Sequence, residues 1–361
     1  MRFCLDFSPR AWTRGDPAER IDQTIQLAKA ADRAGFSSIW LTEDPDGWDA
    51  FEVLAIFARE TSRLSLGTGV TNPFLRHPNL IAASISTLDW ISGGRSFLGL
   101  GRGQPEWYER ALGIPAREPR ARVRETVDLL RQWWREPHVA SGSGPIRVNA
   151  WERTFSPISN PPIYLAATGP KMQELAGGIA DGVRFNSLAS LDFLRASVER
   201  VRSAAVAAGR DPRALRFFFD PGIRITDDPG PKLDELKATI ATIHALPGME
   251  RQLRAPGLNV DGVMANVRKA MRTDEVLAAG GAFAELRREG DLAAAKRAIP
   301  DELVRAVSAV GPPSEVRRRL ADLSEIGITD VFFNIARSPG GIEALGDVLA
   351  SIEPTATDRE T

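Results

Sequence analysis

The sequence contains one cysteine, Cys4, and three histidines among 361 residues. A single cysteine excludes an internal disulfide framework. His77, His138 and His244 are too widely separated to give the short ligand spacings of a zinc site. We therefore expect neither a disulfide nor a bound metal, and we expect Cys4 to be a small core residue.

Long apolar runs and an excess of one charge are also missing. No stretch approaches the roughly 20 apolar residues of a membrane span, and the first ten residues, "MRFCLDFSPR", lack the apolar centre of a secretion signal. A net charge of −1 gives no electrostatic case for nucleic acid or an anionic membrane as partner. These absences predict a cytoplasmic protein that acts on a small molecule.

Short aliphatic runs alternate with amphipathic helical segments along the chain. Eight runs are expected to be buried strands: residues 2–7, 37–42, 64–70, 95–101, 163–167, 182–186, 216–225 and 329–336. Eight repeats favour a closed (β/α)8 barrel, and an open doubly wound sheet is the alternative. We expect a single barrel domain over residues 1–361, with a mostly helical insertion at 229–305.

Local signals mark several helix ends. Asp16 followed by Pro17 predicts a helix start, and Gly35 predicts its end. A last helix is expected near 340–352, and the turn-rich stretch 137–162 could hold a small hairpin.

The stretch "GTGVTNPFLRHP", residues 67–78, places two glycines at the end of a strand. Glycine costs backbone entropy there, so it indicates unusual dihedral angles or a close neighbour. In a barrel this strand end lies at the rim that carries the active site.

Acidic residues follow two of the other strands. Glu43 and Asp44 are adjacent, and their repulsion could raise the pKa of one of them towards general-acid use; a solvated loop that caps the next helix explains them equally well. Asp6 on the first strand is costly inside a barrel unless it is used or paired. It is therefore a functional candidate or a structural hydrogen-bond acceptor.

The stretch "AATGPKMQELAG" ends a strand in small residues and opens a helix at Thr168, Gly169 and Pro170. Unsatisfied N–H groups and the helix dipole favour a phosphate at such a turn. The alternative is that these residues only begin a helix and bind no ligand.

Three stretches together resemble the luciferase-like monooxygenase superfamily: "GTGVTNPFLRHP", "STLDWISGGRSFLGLGRG" and "PPIYLAATGPKMQELAGGIADGVRFN". They are most similar to its coenzyme F420-dependent branch, above all to the methylenetetrahydromethanopterin reductases and more distantly to the glucose-6-phosphate dehydrogenases. The resemblance implies a barrel with insertions after strands four and seven and a homodimer. It also implies a non-prolyl cis peptide between Gly69 and Val70, against which the deazaflavin ring would lie.

The resemblance assigns roles by position. It implies catalytic roles for Asp6 and Glu43 and substrate contact for Trp48, Asn186 and Ser187. The cofactor-binding positions that it implies are Gly69, Val70, Asn72, Arg102, Thr168 and Gly169. We add Asp44, beside Glu43, as a catalytic candidate, and Gln104 and Pro170 as cofactor-binding candidates.

Two positions depart from the dehydrogenase pattern, which has His at Asp44 and Glu at Gln104. A base-assisted alcohol oxidation is therefore disfavoured. The favoured hypothesis is an F420-dependent oxidoreductase that moves a hydride between the deazaflavin C5 and an organic substrate, with Asp6 or Asp44 handling a proton. The alternatives are an FMN-dependent monooxygenase and a cofactor-binding protein without catalysis.

Overall fold

The computed structural model describes residues 1–7, 16–43, 47–104, 108–109, 112–136, 140–281, 283–333 and 350. Its strands are β1 (Arg2–Phe7), β2 (Ser38–Leu41), β3 (Ser65–Thr68), β4 (Ser96–Leu100), β5 (Ala140–Gly142), β6 (Val148–Trp151), β7 (Ile163–Ala166), β8 (Gly182–Arg184), β9 (Arg216–Phe219), β10 (Arg224–Ile225), β11 (Val310–Gly311) and β12 (Asp330–Phe333).

Its α-helices are α1 (Pro17–Ala34), α2 (Ala50–Glu60), α3 (Pro78–Ser92), α4 (Pro119–Arg135), α5 (Pro170–Ile179), α6 (Leu191–Ala207), α7 (Pro229–Thr239), α8 (Val260–Ala270), α9 (Thr273–Ala278), α10 (Phe283–Glu289), α11 (Leu292–Ala298), α12 (Asp301–Val307) and α13 (Pro313–Glu325). Among the described residues, none of these helices is long and apolar enough to cross a membrane.

Eight parallel strands close into a barrel in the order β1-β12-β9-β8-β7-β4-β3-β2. Closure occurs because β1 pairs with both β2 and β12. The (β/α)8 prediction is confirmed, and the open-sheet alternative is wrong. The insertion after the fourth barrel strand contains α4 and the antiparallel hairpin of β5 and β6; the insertion after the seventh contains α7 to α12.

The seventh predicted strand is shorter than the sequence suggested. It was expected over 216–225, but β9 ends at Phe219, and Pro221 and Gly222 separate it from β10. Proline cannot donate to a sheet ladder, and Gly222 adopts a φ of 60°. β10 pairs instead with β11 in a separate two-stranded sheet.

The predicted helix ends are confirmed where the structure describes them. Asp16 accepts hydrogen bonds from the backbone of Ala18 and Glu19, and Gly35 ends α1 with a φ of 86°. The helix predicted near 340–352 lies almost entirely outside the described residues.

Aromatic rings fill the barrel interior around Trp40. The ring centroids of Phe97, Phe218 and Phe332 lie 4.5, 4.7 and 5.4 Å from that of the indole. Glycines on neighbouring strands leave room for these rings. A Cβ atom at Gly99 would lie 2.9 Å from the indole and 2.0 Å from the carbonyl oxygen of Thr68.

The contacts divide the chain into two compact units. The first contains residues 1–185, 200–218 and, of the described residues beyond 328, those at 329–333; it therefore includes the barrel strands except for the last residue of β9. The second contains 186–199 and 219–328, and its helices enclose an apolar core that includes Leu233, Met264 and Leu303. A single domain over 1–361 stays a prediction.

A buried histidine lies within the second unit. His244 ends a π-helix, Ile240–His244, and is completely buried. Its Nε2 lies 3.1 Å from the carbonyl oxygen of Ser187, and its Nδ1 lies 3.4 Å from that of Met249. Burial lowers the pKa of His244 to about 4, although both carbonyl contacts act to raise it.

We expect His244 to make this protein less stable in mild acid. Between the folded pKa of about 4 and the ordinary value of 6.5, the unfolded chain binds a proton that the folded chain does not. The free energy of unfolding should therefore fall as the pH drops through that window, by about 3 kcal/mol in total. Urea denaturation between pH 4.5 and 7 measures this slope. In His244→Gln the slope should be smaller, and equal slopes in the two proteins would contradict the assignment.

Candidate active site

The carboxyl ends of the barrel strands bring several of the predicted residues to one rim. Asp6 lies near the end of β1, Glu43 follows β2, Gly69 and Val70 follow β3, and Thr168 follows β7. Parallel strands all end at the same edge of a barrel, which is where barrel enzymes carry their active sites.

The peptide bond between Gly69 and Val70 is cis, as the family resemblance implied. Hydrogen bonds fix the backbone on both sides of this bond. The Gly69 N–H donates to the Leu41 carbonyl at 2.5 Å, and the Thr71 N–H donates to the Gly99 carbonyl at 3.0 Å. The hydroxyl of Thr42 also donates to the Gly69 carbonyl at 3.3 Å, so β2, β3 and β4 together hold the segment.

The close neighbours of Gly69 are two side chains of the protein, those of Arg184 and Trp40. A Cβ atom there would lie 2.7 Å from Nη1 of Arg184 and 2.9 Å from Cβ of Trp40. The sequence linked this glycine to the approach of a ligand ring. A side chain there would collide with Cβ of Trp40, and the flexible end of Arg184 would have to move.

Arg184 is a site residue that the sequence reasoning missed. It ends β8, and its guanidinium stacks 4.4 Å from the ring centroid of Phe332 and 5.4 Å from that of Trp40. Its Nη2 donates to Oδ2 of Asp6 at 2.5 Å, with both side chains about 15 % exposed. Asp6 is thus an ion-paired carboxylate that Arg184 holds by a charge-assisted hydrogen bond.

Glu43 is also ion-paired, with a second arginine. Its side chain is 7 % exposed, and its Oε1 accepts a hydrogen bond from Nε of Arg76 at 2.6 Å. Arg76 also donates to Asp49 at 2.5 Å. Burial acts to lower the pKa of Arg76, but the charges and hydrogen bonds of Glu43 and Asp49 outweigh it and raise that pKa.

Asn72, predicted to contact the cofactor, has a local structural task. Its Oδ1 accepts hydrogen bonds from the backbone N–H groups of Phe74 and Leu75, both at 3.1 Å. This Asx turn is a common use of asparagine after a strand. It also brings Arg76 back towards Glu43.

The other predicted residues near β2 and β4 differ in their setting. Trp48 is half-buried, and its indole N–H donates to the Thr42 carbonyl at 3.1 Å. Arg102 is exposed and Gln104 is half-buried. Asp44 lies outside the described residues.

The turn before α5 combines open space with a fixed backbone. Gly169 is the N-cap of the helix without a side-chain cap, and a Cβ atom added there would meet nothing within 4 Å. The buried amide of Gln173 donates to the carbonyls of Ala167 and Thr168 at 3.5 and 3.2 Å and accepts from Arg200 at 2.7 Å. These bonds fix the two carbonyls, and the sequence analysis did not single out Gln173 for this structural role.

Asn186 and Ser187 belong to the second compact unit. Nδ2 of Asn186 is buried and has no hydrogen-bond partner among the described residues. The Ser187 carbonyl faces His244. Across the described part of the chain, no group of three or more His, Cys, Asp or Glu side chains could hold a metal ion.

A closed parallel barrel with several polar side chains at the carboxyl ends of its strands has the architecture of a (β/α)8 barrel enzyme. The sequence profile of the luciferase-like monooxygenases matches residues 1–330, and the chain belongs to that family.

Its relatives include a 5,10-methylenetetrahydromethanopterin reductase of Methanolobus tindarius, 31% identical over 94% of this chain and 95% of the relative. An F420-dependent glucose-6-phosphate dehydrogenase of Kineococcus radiotolerans is 29% identical over 61% of this chain and 68% of its own. The solved structure of the coenzyme F420-dependent tetrahydromethanopterin reductase of Methanopyrus kandleri superimposes with a TM-score of 0.77 at 25% identity, over 96% of each chain.

We expect Gly69→Ala to destabilise the protein by about 1–3 kcal/mol, because the added methyl overpacks the space between Arg184 and Trp40. In an Arg184→Ala background the same substitution should cost less, since one of the two close neighbours is gone. Urea denaturation of the four proteins measures the difference. Gly178→Ala is the control: its methyl would meet only Ala208, at 4.0 Å, and should not destabilise. Equal costs of Gly69→Ala in both backgrounds would contradict the packing explanation.

Proposed function

We propose that the protein is an F420-dependent oxidoreductase that transfers a hydride between the deazaflavin and a small organic substrate. The observation that carries the proposal is the open turn at Thr168 and Gly169, on the same rim as the buried carboxylate of Glu43. A cofactor that joins a flat ring to a phosphate needs both features, an anion site and a polar partner for the ring.

The residues present fit such a cofactor. Gly169 leaves space beside the first turn of α5, and no acidic residue lies in that turn. A helix N-terminus of this kind favours a phosphate. Oε2 of Glu43 is buried and lacks a hydrogen-bond partner among the described residues, so it is free to accept a bond from a ring N–H group. Val70, which packs against the aromatic interior, would lie beneath the ring.

The deazaflavin, when bound, supplies or accepts the hydride at C5. The protein's part is to hold the ring and substrate in one orientation and to exclude water, which can supply much of a rate enhancement. Arg184 keeps Asp6 as a fixed carboxylate at the rim, and Arg76 does the same for Glu43. Trp48, Asn186 and Ser187 remain candidates for substrate contact, as Asp44 does for proton transfer.

The names of the similar proteins agree on a cofactor but not on a substrate. The names of the Methanopyrus kandleri reductase and the Kineococcus radiotolerans dehydrogenase share F420 but give different substrates. The reductase-like match extends over nearly the whole chain. We therefore propose F420 as the cofactor and a reductase-like direction, and we leave the substrate open.

We expect purified protein to bind F420 with a micromolar dissociation constant and in preference to FMN. Thr168→Glu places a carboxylate at the phosphate turn and should weaken F420 binding at least 10-fold by charge repulsion. Fluorescence quenching measures both constants.

Thr168→Gln is the matched control, since it has almost the same size without the charge and should change binding less than about threefold. Equal weakening by Glu and Gln would contradict a phosphate site at this turn. Preferential binding of FMN would favour the hypothesis of an FMN-dependent monooxygenase instead. Binding of neither cofactor would contradict the proposed function.

We also propose a homodimer that buries one face of α3. Leu80 and Trp90 on that helix are 54% and 57% exposed, and Ile158 in the insertion after β4 is 56% exposed. Trp90 contacts Phe155 edge to face, with centroids 6.2 Å apart, so the apolar surface continues beyond the helix. An apolar surface of this kind commonly marks an interface.

Leu80→Glu should shift the protein towards the monomer, because a charge would be buried in the interface. Sedimentation velocity over a range of concentrations measures the shift. Val206→Glu is the control, since Val206 is 61% exposed on α6, outside this surface. A wild-type protein that is monomeric at all concentrations would contradict the dimer.

A further inference from the structure

Glu43 is a buried carboxylate, and only one of its two oxygens accepts a hydrogen bond from a described residue. Oε1 accepts from Arg76, whereas Oε2 is buried and has no partner among the residues that the structure describes. A charged oxygen that is removed from water without a hydrogen bond is costly. An acceptor in this state is the natural partner of a donor that arrives with a ligand.

Arg76 determines which oxygen is left over. Its Nε donates to Glu43 and its Nη2 to Asp49, so the guanidinium bridges the end of β2 and the start of α2. The guanidinium also stacks 5.0 Å from the ring centroid of Phe51. Three contacts therefore hold the arginine on one side of Glu43, and only Oε2 remains available on the other.

A turn formed by Asn72 places Arg76 next to Glu43. The Asx turn of Asn72 reverses the backbone directly after the Gly69–Val70 segment, and the Arg76 N–H approaches the Asn72 carbonyl at 3.4 Å. The segment that would lie beneath the ring and the arginine that orients Glu43 are thus seven residues apart in one loop. Both are fixed by hydrogen bonds within that loop and to its neighbouring strands.

We propose that Arg76 is a positioning residue that presents Oε2 of Glu43 to the imide N–H of the deazaflavin ring. The inference rests on the proposed function, because it needs a ring cofactor at this rim. A pyrimidinedione ring carries one N–H between two carbonyls, and a fixed carboxylate oxygen is a strong acceptor for it. Arg76 itself touches neither cofactor nor substrate.

Glu43→Gln tests the orientation as well as the charge. With Arg76 in place, the new amide oxygen turns towards the guanidinium, which puts the NH2 group where Oε2 was. Two donors then face each other, and F420 binding should weaken by about 10- to 100-fold. Arg76→Met should weaken binding to a similar extent, because Glu43 loses the contact that orients it.

A double-mutant cycle on the dissociation constant of F420, measured by fluorescence quenching, separates positioning from general stability. If Arg76 acts through Glu43, adding Arg76→Met to Glu43→Gln should change binding less than about threefold. Multiplying effects, or no effect of Glu43→Gln, would overturn the inference. Thermal unfolding of each variant verifies that it is folded.

Glu60→Gln is the matched control outside this cluster. Glu60 ends α2 and forms an exposed ion pair with Lys29 at 2.6 Å. The same change from carboxylate to amide should therefore alter F420 binding less than about threefold. A loss as large as that of Glu43→Gln would contradict the inference. If the wild type bound no F420, both the proposed function and this inference would be wrong. If the wild type bound F420 and the Glu43 and Arg76 variants bound it equally well, only this inference would be wrong.

Discussion

The packing of one large indole determines much of this structure. Trp40 lies in the middle of the barrel interior with three phenylalanines and Tyr164 around it. A closed eight-stranded barrel has an interior just wide enough for side chains to fill. When several of those side chains are aromatic, neighbouring strands must contribute residues with no side chain at all. Glycine therefore recurs along the inward face of β3 and β4, as at Gly67 and Gly99.

The same need for residues without side chains beside Trp40 applies at the rim of the barrel. Gly69 continues the inward series of β3, and Trp40 with Arg184 occupies the space beside it. Arg184 lies over the aromatic rings and carries its charge up to Asp6. An aromatic interior suits a guanidinium because the faces of the rings attract cations. The interior packing and the ion pair at the rim are thus parts of one arrangement, and a change in either should be felt in the other.

The features that sequence could predict are those with local causes. Aliphatic strands, the Asp16 cap and the Gly35 end each depend on a few consecutive residues, and the structure contains all of them, although the seventh strand is shorter than predicted. The break between β9 and β10 was also signalled, by Pro221 and Gly222, but the apolar run on both sides of it concealed the signal. Asn72 was assigned to the cofactor by position, although its Asx turn is a local pattern that the sequence also contained.

The partners of the acidic residues could not be predicted in this way. Asp6 and Arg184 are 178 residues apart, and they come from strands that are not neighbours in the sheet. Only the closed barrel brings them together. The pairing matters because two acids of the rim, Asp6 and Glu43, are engaged by arginines. Each is held in place by a charge-assisted hydrogen bond from an arginine. An arginine that fixes a carboxylate also fixes the direction of its other oxygen, so the polar geometry of the rim depends on contacts between segments that are distant in the sequence.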